Sequence, residues 1–538
     1  MTVVAEPDSH QDTGGREPRA DMPRSSARPW PAIAGLLAAA FGLSVGELWA
    51  GLFGGAGPVV IVGDRVIDGV PRSVKTFAID TFGRNDKLAL IIGILVLVGL
   101  YSMWVGTRAY RRFSEGIVGI AGFAIVGITA AITGRTPKAS DVLPVLAAGV
   151  GALVALWVLL SWRGPKRDRR ATRLITRNDA VATGGFDRRR FLVAGAGLAG
   201  TAVVAGAVGR KLQGGSKATA KRKTVRLPRP KQALPAVDPA ALVDAPNMTP
   251  FVTPNASYYR IDTALVVPRV DVSNWALTIN GMVDKPIRLT YDDLLGRPLV
   301  EHDCTLMCVS NEIGGDLIGN ARWLGVRLAD VLKEAGVKPE ADQVFSTSVD
   351  GFTAGFPVSV ALDGREALIA VGMNGEPLPF RHGYPARLVI PGIYGYVSAV
   401  KWLSEIRLTR FDQDNGYWIP RGWAQLAPIK TGSRIDVPGR GDLPAGRAAI
   451  AGVAWAQHRG VAKVEVQVDD QPWQMAELAA DGGIDTWRQW KLAWDATPGR
   501  HRVRVRATDA TGELQPEQRT DVAPDGATGW HEIGVRVV

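Results

Sequence analysis

Cys304 and Cys308 are the two cysteines of this 538-residue chain. Two are too few for a disulfide framework, and three intervening residues do not make the C-x-x-C of redox or zinc sites. A free thiol among apolar neighbours is ordinarily a packed core group; as a thiolate it is a soft ligand for a heavy metal. Both readings stay open for Cys304-Thr305-Leu306-Met307-Cys308-Val309-Ser310-Asn311. The chain has six histidines, of which only His10 precedes residue 300. C-x-x-C-H is absent and the long apolar runs hold no histidine, so neither haem nor an iron–sulfur cluster is expected. A second motif, Arg188-Arg189-Arg190-Phe191-Leu192, has the R-R-x-F-L core of a twin-arginine export signal, followed by a weakly apolar run ending in small residues. Three arginines also suit a plain cytoplasmic boundary. The export reading implies that the domain behind the signal folds around a cofactor before crossing.

The length suggests about three domains. Residues 1–29, rich in Arg, Pro, Ser and Asp, read as a disordered cytoplasmic tail. Apolar runs at 31–54, 88–106, 116–134 and 142–162, with a fifth at Phe191–Val208, approach the ~20 residues that cross a bilayer. They make residues 30–210 a transmembrane module of about five spans. Glu47 interrupts the first run, either as a functional buried carboxylate or as a residue tolerated near the outer interface. Arg16, Arg19, Arg24 and Arg28 precede the first span, and Arg108, Arg111 and Arg112 separate the second from the third. Residues 163–190 carry ten Lys or Arg against three Asp. These segments fall on one side if every run spans, so the N-terminus is expected inside and the C-terminal part outside. The net charge of +11 thus follows membrane topology, and no nucleic-acid partner is expected. Lys-, Pro- and Ala-rich residues 211–250 read as a linker.

From residue 251 the pattern becomes α+β. Trp275–Ile279 reads as a strand before an Asn280-Gly281 turn, Thr290 caps a short helix, and Val326–Ala335 has helical spacing closed by Gly336. The Cys308-Val309-Ser310-Asn311 loop, followed by Ala321-Arg322-Trp323-Leu324-Gly325-Val326-Arg327-Leu328, resembles the sulfite oxidase family of molybdopterin enzymes. Further matches follow in order: Tyr258-Tyr259-Arg260, Asp350, the Gly372–Pro379 turn, His382-Gly383-Tyr384-Pro385-Ala386-Arg387, Pro391-Gly392 and Val400-Lys401-Trp402. The resemblance covers about residues 251–538. It implies molybdenum held by molybdopterin in its mononucleotide form, with Cys308 as metal ligand and Cys304 left as a packed thiol. It also implies cofactor contacts at Tyr258, Tyr259, Arg260, Asp350, His382, Arg387, Ala399, Val400 and Lys401. Basic donors suit an anionic phosphorylated pterin. Cys308 and Arg260 are the expected catalytic residues; Arg322, Trp323 and Trp423 are expected in the substrate pocket.

The departures bear on substrate. Glu312 and Ile313 stand where sulfite oxidases carry paired arginines, Arg260-Ile261-Asp262 replaces Arg-Asn-His, and Trp423 takes the place of a pocket tyrosine. Residues 424–538 alternate with a period of two, as in Val461–Val468 and His501–Ala507. They read as an immunoglobulin-like sandwich resembling the family's dimerisation domain. The expectation is a multi-domain, membrane-anchored molybdenum oxidoreductase with domain 251–423 extracytoplasmic. It would act on a small molecule and pass electrons to an external cytochrome or quinone-linked carrier. The alternatives are a methionine-repair type sulfoxide reductase, a cofactor-free binding module on an anchor and, disfavoured by the few polar groups in the spans, a transporter with an accessory domain.

Overall fold

The computed structural model describes residues 29–538 apart from 72–73, 75–76, 78–80, 83–84, 136, 162–187, 214–215 and 440. The N-terminal tail and most of the basic segment 163–190 therefore lie outside the described residues. Five helices are long and apolar enough to cross a membrane: Trp30–Phe53, Asp86–Arg111, Phe113–Ile132, Ala139–Ser161 (opening on a 3-10 turn) and Arg189–Leu212. Their faces meet through small residues, which let backbones approach closely. A Cβ on Gly35 would stand 2.8 Å from the Ser102 carbonyl carbon, and one on Gly42 would stand 2.5 Å from the Ala148 carbonyl oxygen. Glu47 is buried, its carboxylate against Gly57 in the turn after the first helix. The segment expected as a plain loop between the first two spans carries a further helix, Pro58–Gly69. The stretch read as a linker includes the helix Ser216–Thr224.

The central domain has two five-stranded sheets. One sets Ala276–Gly281 parallel to Leu403–Thr409, with Ile287–Thr290, Gln343–Ser348 and Thr353–Pro357 antiparallel around them. The other pairs Val300–Met307 with Ile318–Arg327, which in turn pairs with Leu368–Met373. Local signals are those expected of these elements. Thr290 closes a reciprocal capping box with Asp293, and Leu328–Ala335 ends on Gly336 at φ +69°. There a Cβ would strain the backbone.

Residues 432–537 form two facing sheets, four strands and five, closed around Ile450, Val464, Trp490, Val503 and Val505. This sandwich is stitched to the central domain. Trp487 Nε1 donates to Phe251 O at 2.9 Å, and Thr305 N donates to Asp485 O at 3.0 Å. Arg434 Nη1 donates to Gly315 O at 2.8 Å, which fixes the far end of the loop that starts at Cys308.

Candidate active site

Cys308 follows the last residue of strand Val300–Met307, where the ladder stops and the chain turns into a loop. Asn311 holds that turn. Its backbone N–H donates to Cys308 O at 3.0 Å, and its Oδ1 accepts the Leu317 N–H at 2.8 Å. The Ser310 N–H points at Cys308 Sγ from 3.4 Å. Burial pushes the Cys308 thiol up, while the Ser310 contacts and Lys401 pull it back toward the thiolate. Cys304 is fully buried within the strand, its thiol raised by burial, and lies away from the cavity described next.

Cys308 opens onto a cavity of about 1260 Å³, larger than the ~300–1,000 Å³ of common ligand pockets. Tyr258, Tyr259, Asp350, His382, Arg387, Ala399, Lys401 and Trp423 line it as well. Most of the residues expected to share a site are thus brought together across more than 160 positions of sequence. Tyr258 and Tyr259 stack at 5.3 Å, and Tyr258 meets His382 edge-on at 5.6 Å. Burial raises both phenols, so they are neutral. His382 Nε2 donates to Asn255 O at 2.9 Å, since a carbonyl only accepts. Burial lowers its pKa to about 4, so the imidazole is neutral near pH 7.

Arg387 is the most unusual group. It is 5% exposed, and among the described residues no carboxylate pairs with it. Its guanidinium lies 5.0 Å from the Trp323 ring centroid and donates only to Leu388 O and His382 O, each at 3.3 Å. A buried cation without a counter-charge costs several kcal/mol. It is what an anion-binding cradle leaves when its anion is not counted. A second loose end points the same way: Asp350 Oδ2 is buried on the cavity wall without a hydrogen-bond partner among the described residues. A thiol, an uncompensated guanidinium and an unpartnered acceptor in one cavity fit a metal-bearing, phosphorylated, amino-substituted ring system.

Four expected residues sit elsewhere. Arg322 does not line the cavity; a bidentate pair with Asp303 at 2.9 and 2.8 Å holds it on the sheet. Trp323 is fully buried behind Arg387, donating to Cys304 O at 3.1 Å. No residue of strand Ile318–Arg327 lines the pocket: one face carries Arg322 to Asp303, and the other buries Trp323 in the core. Val400 is buried between the lining residues Ala399 and Lys401, accepting the Leu388 N–H. Arg260 is drawn off the wall onto Asp262, Nε to Oδ2 at 2.7 Å.

Asp262 is the organising charge that the sequence reading passed over. Its 4%-exposed carboxylate accepts from Arg260, from Lys401 at 2.7 Å and from Lys87 at 2.9 Å. The three cations outweigh burial and hold it well below the usual carboxylate range. Burial lowers the Lys401 ammonium to about 8 although Asp262 supports it. Also on the wall are Glu312, Tyr396 and Arg421, the last with its guanidinium 3.7 Å from the Tyr417 ring centroid. The sandwich contributes Arg519–Pro524, and the N-terminal helical part contributes Asp68, Val70 and Pro71.

The family model for the oxidoreductase molybdopterin binding domain matches residues 264–418. The chain is 29% identical over 343 residues to the mitochondrial sulfite oxidase of Homo sapiens, covering 53% of this chain and 62% of that protein. It is 27% identical over 333 residues to an NADH nitrate reductase of Hordeum vulgare, covering 50% of this chain and 36% of that one. The solved structure of the sulfane dehydrogenase SoxCD from Paracoccus pantotrophus superposes with a TM-score of 0.48 at 25% identity, over 56% of this chain and 84% of that chain. The chain thus spans less than two thirds of the length of the mitochondrial sulfite oxidases it matches. Residues 264–418 thus carry a molybdopterin-binding oxidoreductase domain, and around Cys308 and Arg387 the chain is similar to the sulfite oxidases.

Proposed function

We propose that this chain is a membrane-anchored molybdenum oxidoreductase. Its domain 251–423 works outside the cytoplasm on a small molecule and passes electrons to an external carrier. The observation that carries the proposal is Arg387, a buried, uncompensated cation in the same cavity as Cys308. In this reading Cys308 is the protein ligand to molybdenum. Arg387, His382 and Lys401 grip the phosphorylated tail, and Tyr258, Tyr259, Asp350 and Ala399 shape the rest of the seat. The bound group supplies two-electron oxygen-atom or electron-transfer chemistry; the chain supplies grip, orientation and a pocket. Asp262 keeps Lys401 charged, and the aromatic wall around Trp423 limits water.

The substrate pocket differs from a sulfite site. Glu312 lines the cavity at the position where the family's arginines stand, and Asp262 has drawn Arg260 away from it. The pocket suits a less anionic substrate than sulfite. The membrane reading is supported by five apolar helices and by the basic segments that alternate between them. Segments 55–87 and 135–141, read as outside from those charges, supply Lys87 and Arg135, which touch the cofactor domain. Arg188 and Arg189 open the fifth helix, where an export signal would stand. The sandwich 424–538 is read as immunoglobulin-like and as the surface for a homodimer.

The test is metal and pterin analysis of the purified full chain, followed by anaerobic reduction with candidate substrates read by metal-centred absorption. About one molybdenum per chain, bleached by a neutral sulfur substrate more readily than by sulfite, is expected. No molybdenum from cofactor-competent cells, or full loading and activity in Cys308→Ser, would overturn it. The first of these results would leave a binding module on an anchor.

A further inference from the structure

A tether needs no particular contact with the domain it carries. Here the outer ends of the membrane helices grip one short stretch of the cofactor domain, residues 261–265, at three points. Lys87, at the start of helix Asp86–Arg111, commits its ammonium to Asp262 O (2.9 Å), Asp262 Oδ1 (2.9 Å) and Ala264 O (2.6 Å). Arg135, just after helix Phe113–Ile132, donates to Thr263 Oγ1 at 2.7 Å and pairs with Asp68. Gly63, on helix Pro58–Gly69, makes room for Leu265, because a Cβ there would stand 2.5 Å from Leu265 Cδ2.

The held stretch has neither helix nor strand to fix it, so its carbonyls need donors from outside. Lys87 satisfies two of them. Ile261, Asp262 and Thr263 line the cavity, beside Asp68, Val70 and Pro71 of the membrane module itself. Asp68 and Arg135 also meet the Tyr417 hydroxyl, at 2.9 and 3.3 Å, next to the lining residue Trp418. Through Asp262, Lys87 shares a carboxylate with Lys401, whose ammonium lies at 2.7 Å from Oδ2.

We propose that the outer ends of the membrane helices are part of the active site, with Lys87 and Arg135 as positioning residues that hold 261–265 as one wall of the pocket. The proposal rests on reading this cavity as the cofactor and substrate site. It makes the membrane module a shaping element of that site as well as an anchor. Lys87 sets the wall's backbone and adds a positive charge to the network that holds Lys401. Arg135 fixes the wall's side toward Tyr417.

The test uses the full-length, metal-loaded chain in lipid nanodiscs, with Lys87→Met, Lys87→Arg, Arg135→Met and Arg135→Lys. Two quantities are read: amide hydrogen exchange, and the midpoint potential of the metal centre from a dye-mediated titration. Either Met variant should speed exchange at 261–265 by about tenfold or more while strand Gln343–Ser348 keeps its protection. Lys87→Met should also lower the potential, since losing a nearby positive charge favours the oxidised metal, and Lys87→Arg should restore it. Unchanged exchange at 261–265 in both Met variants overturns the proposal. So does faster exchange spread equally over strand Gln343–Ser348 in both, which would make these contacts general scaffolding. Wild-type chain without molybdenum would sink the proposed function instead and leave the exchange result to decide the positioning role.

Discussion

Replacing Arg387 by Met should push the cofactor-free and cofactor-loaded chains in opposite directions. Without an anion the guanidinium is a buried charge with no carboxylate among the described residues. Removing a desolvated charge in favour of an apolar side chain of similar length is worth about 1–4 kcal/mol. The two carbonyl contacts at 3.3 Å that disappear with it return about 1 kcal/mol each. The cofactor-free variant should therefore lie between about 1 kcal/mol less stable and about 2 kcal/mol more stable than its parent. With a phosphate seated, the same change removes a bidentate donor. Two charge-assisted hydrogen bonds at about 1.5–3 kcal/mol each amount to about 3–6 kcal/mol, or about 10²–10⁴ in cofactor affinity. The assay pairs thermal melts of chain made in cofactor-deficient cells with pterin and molybdenum content of chain made in competent cells. A variant that keeps its pterin through purification refutes the assignment of Arg387 to the phosphate. One that destabilises the cofactor-free chain by several kcal/mol makes Arg387 a structural cation and removes the main support for the site.

Two other perturbations probe the same cavity. His382 has its pKa lowered from 6.5 to about 4 by burial, so between those values the unfolded chain binds a proton that the folded one refuses. Cofactor-free stability should then fall as pH drops from 6.5 to about 4, by about 3 kcal/mol in all. A bound phosphate should shrink that loss by favouring the imidazolium. Equal pH slopes for the cofactor-free and loaded chains would refute this. Glu312 and Ile313 replaced together by Arg should tighten sulfite by about 1–2 kcal/mol, a fall in KM of about 5–30-fold at low salt that fades at high salt. A sulfite KM indifferent to the change would mean that these positions do not set the pocket's charge.

What could be read in advance follows from how the information is stored. Cys308, His382 and Arg387 belong to short contiguous motifs, and the cavity unites them because each motif fixes its own turn. The strand Val461–Val468 and the cap at Thr290 were legible for the same reason: their causes lie within a few residues. Arg322 and Trp323 were misplaced although they sit in such a motif. A motif gives neighbours along the chain, while pairing with Val300–Met307 on one edge and Leu368–Met373 on the other holds this strand inside the sheet, off the pocket wall.

Asp262 shows the limit most clearly. In the sequence it is a departure beside Arg260, and the simplest inference is a lost histidine. In the fold it takes Arg260 out of the pocket and binds Lys401 and Lys87, the latter 175 positions away. The residue that draws Arg260 off the pocket wall therefore also holds Lys87 at the start of helix Asp86–Arg111. A carboxylate at that depth is tolerable only with its cations present. Asp262, Lys87 and Lys401 must therefore be understood as one unit, and none of the three discloses its partners locally. The position of Arg260 and the hold on helix Asp86–Arg111 then have a common physical origin, the neutralisation of one buried carboxylate from both sides.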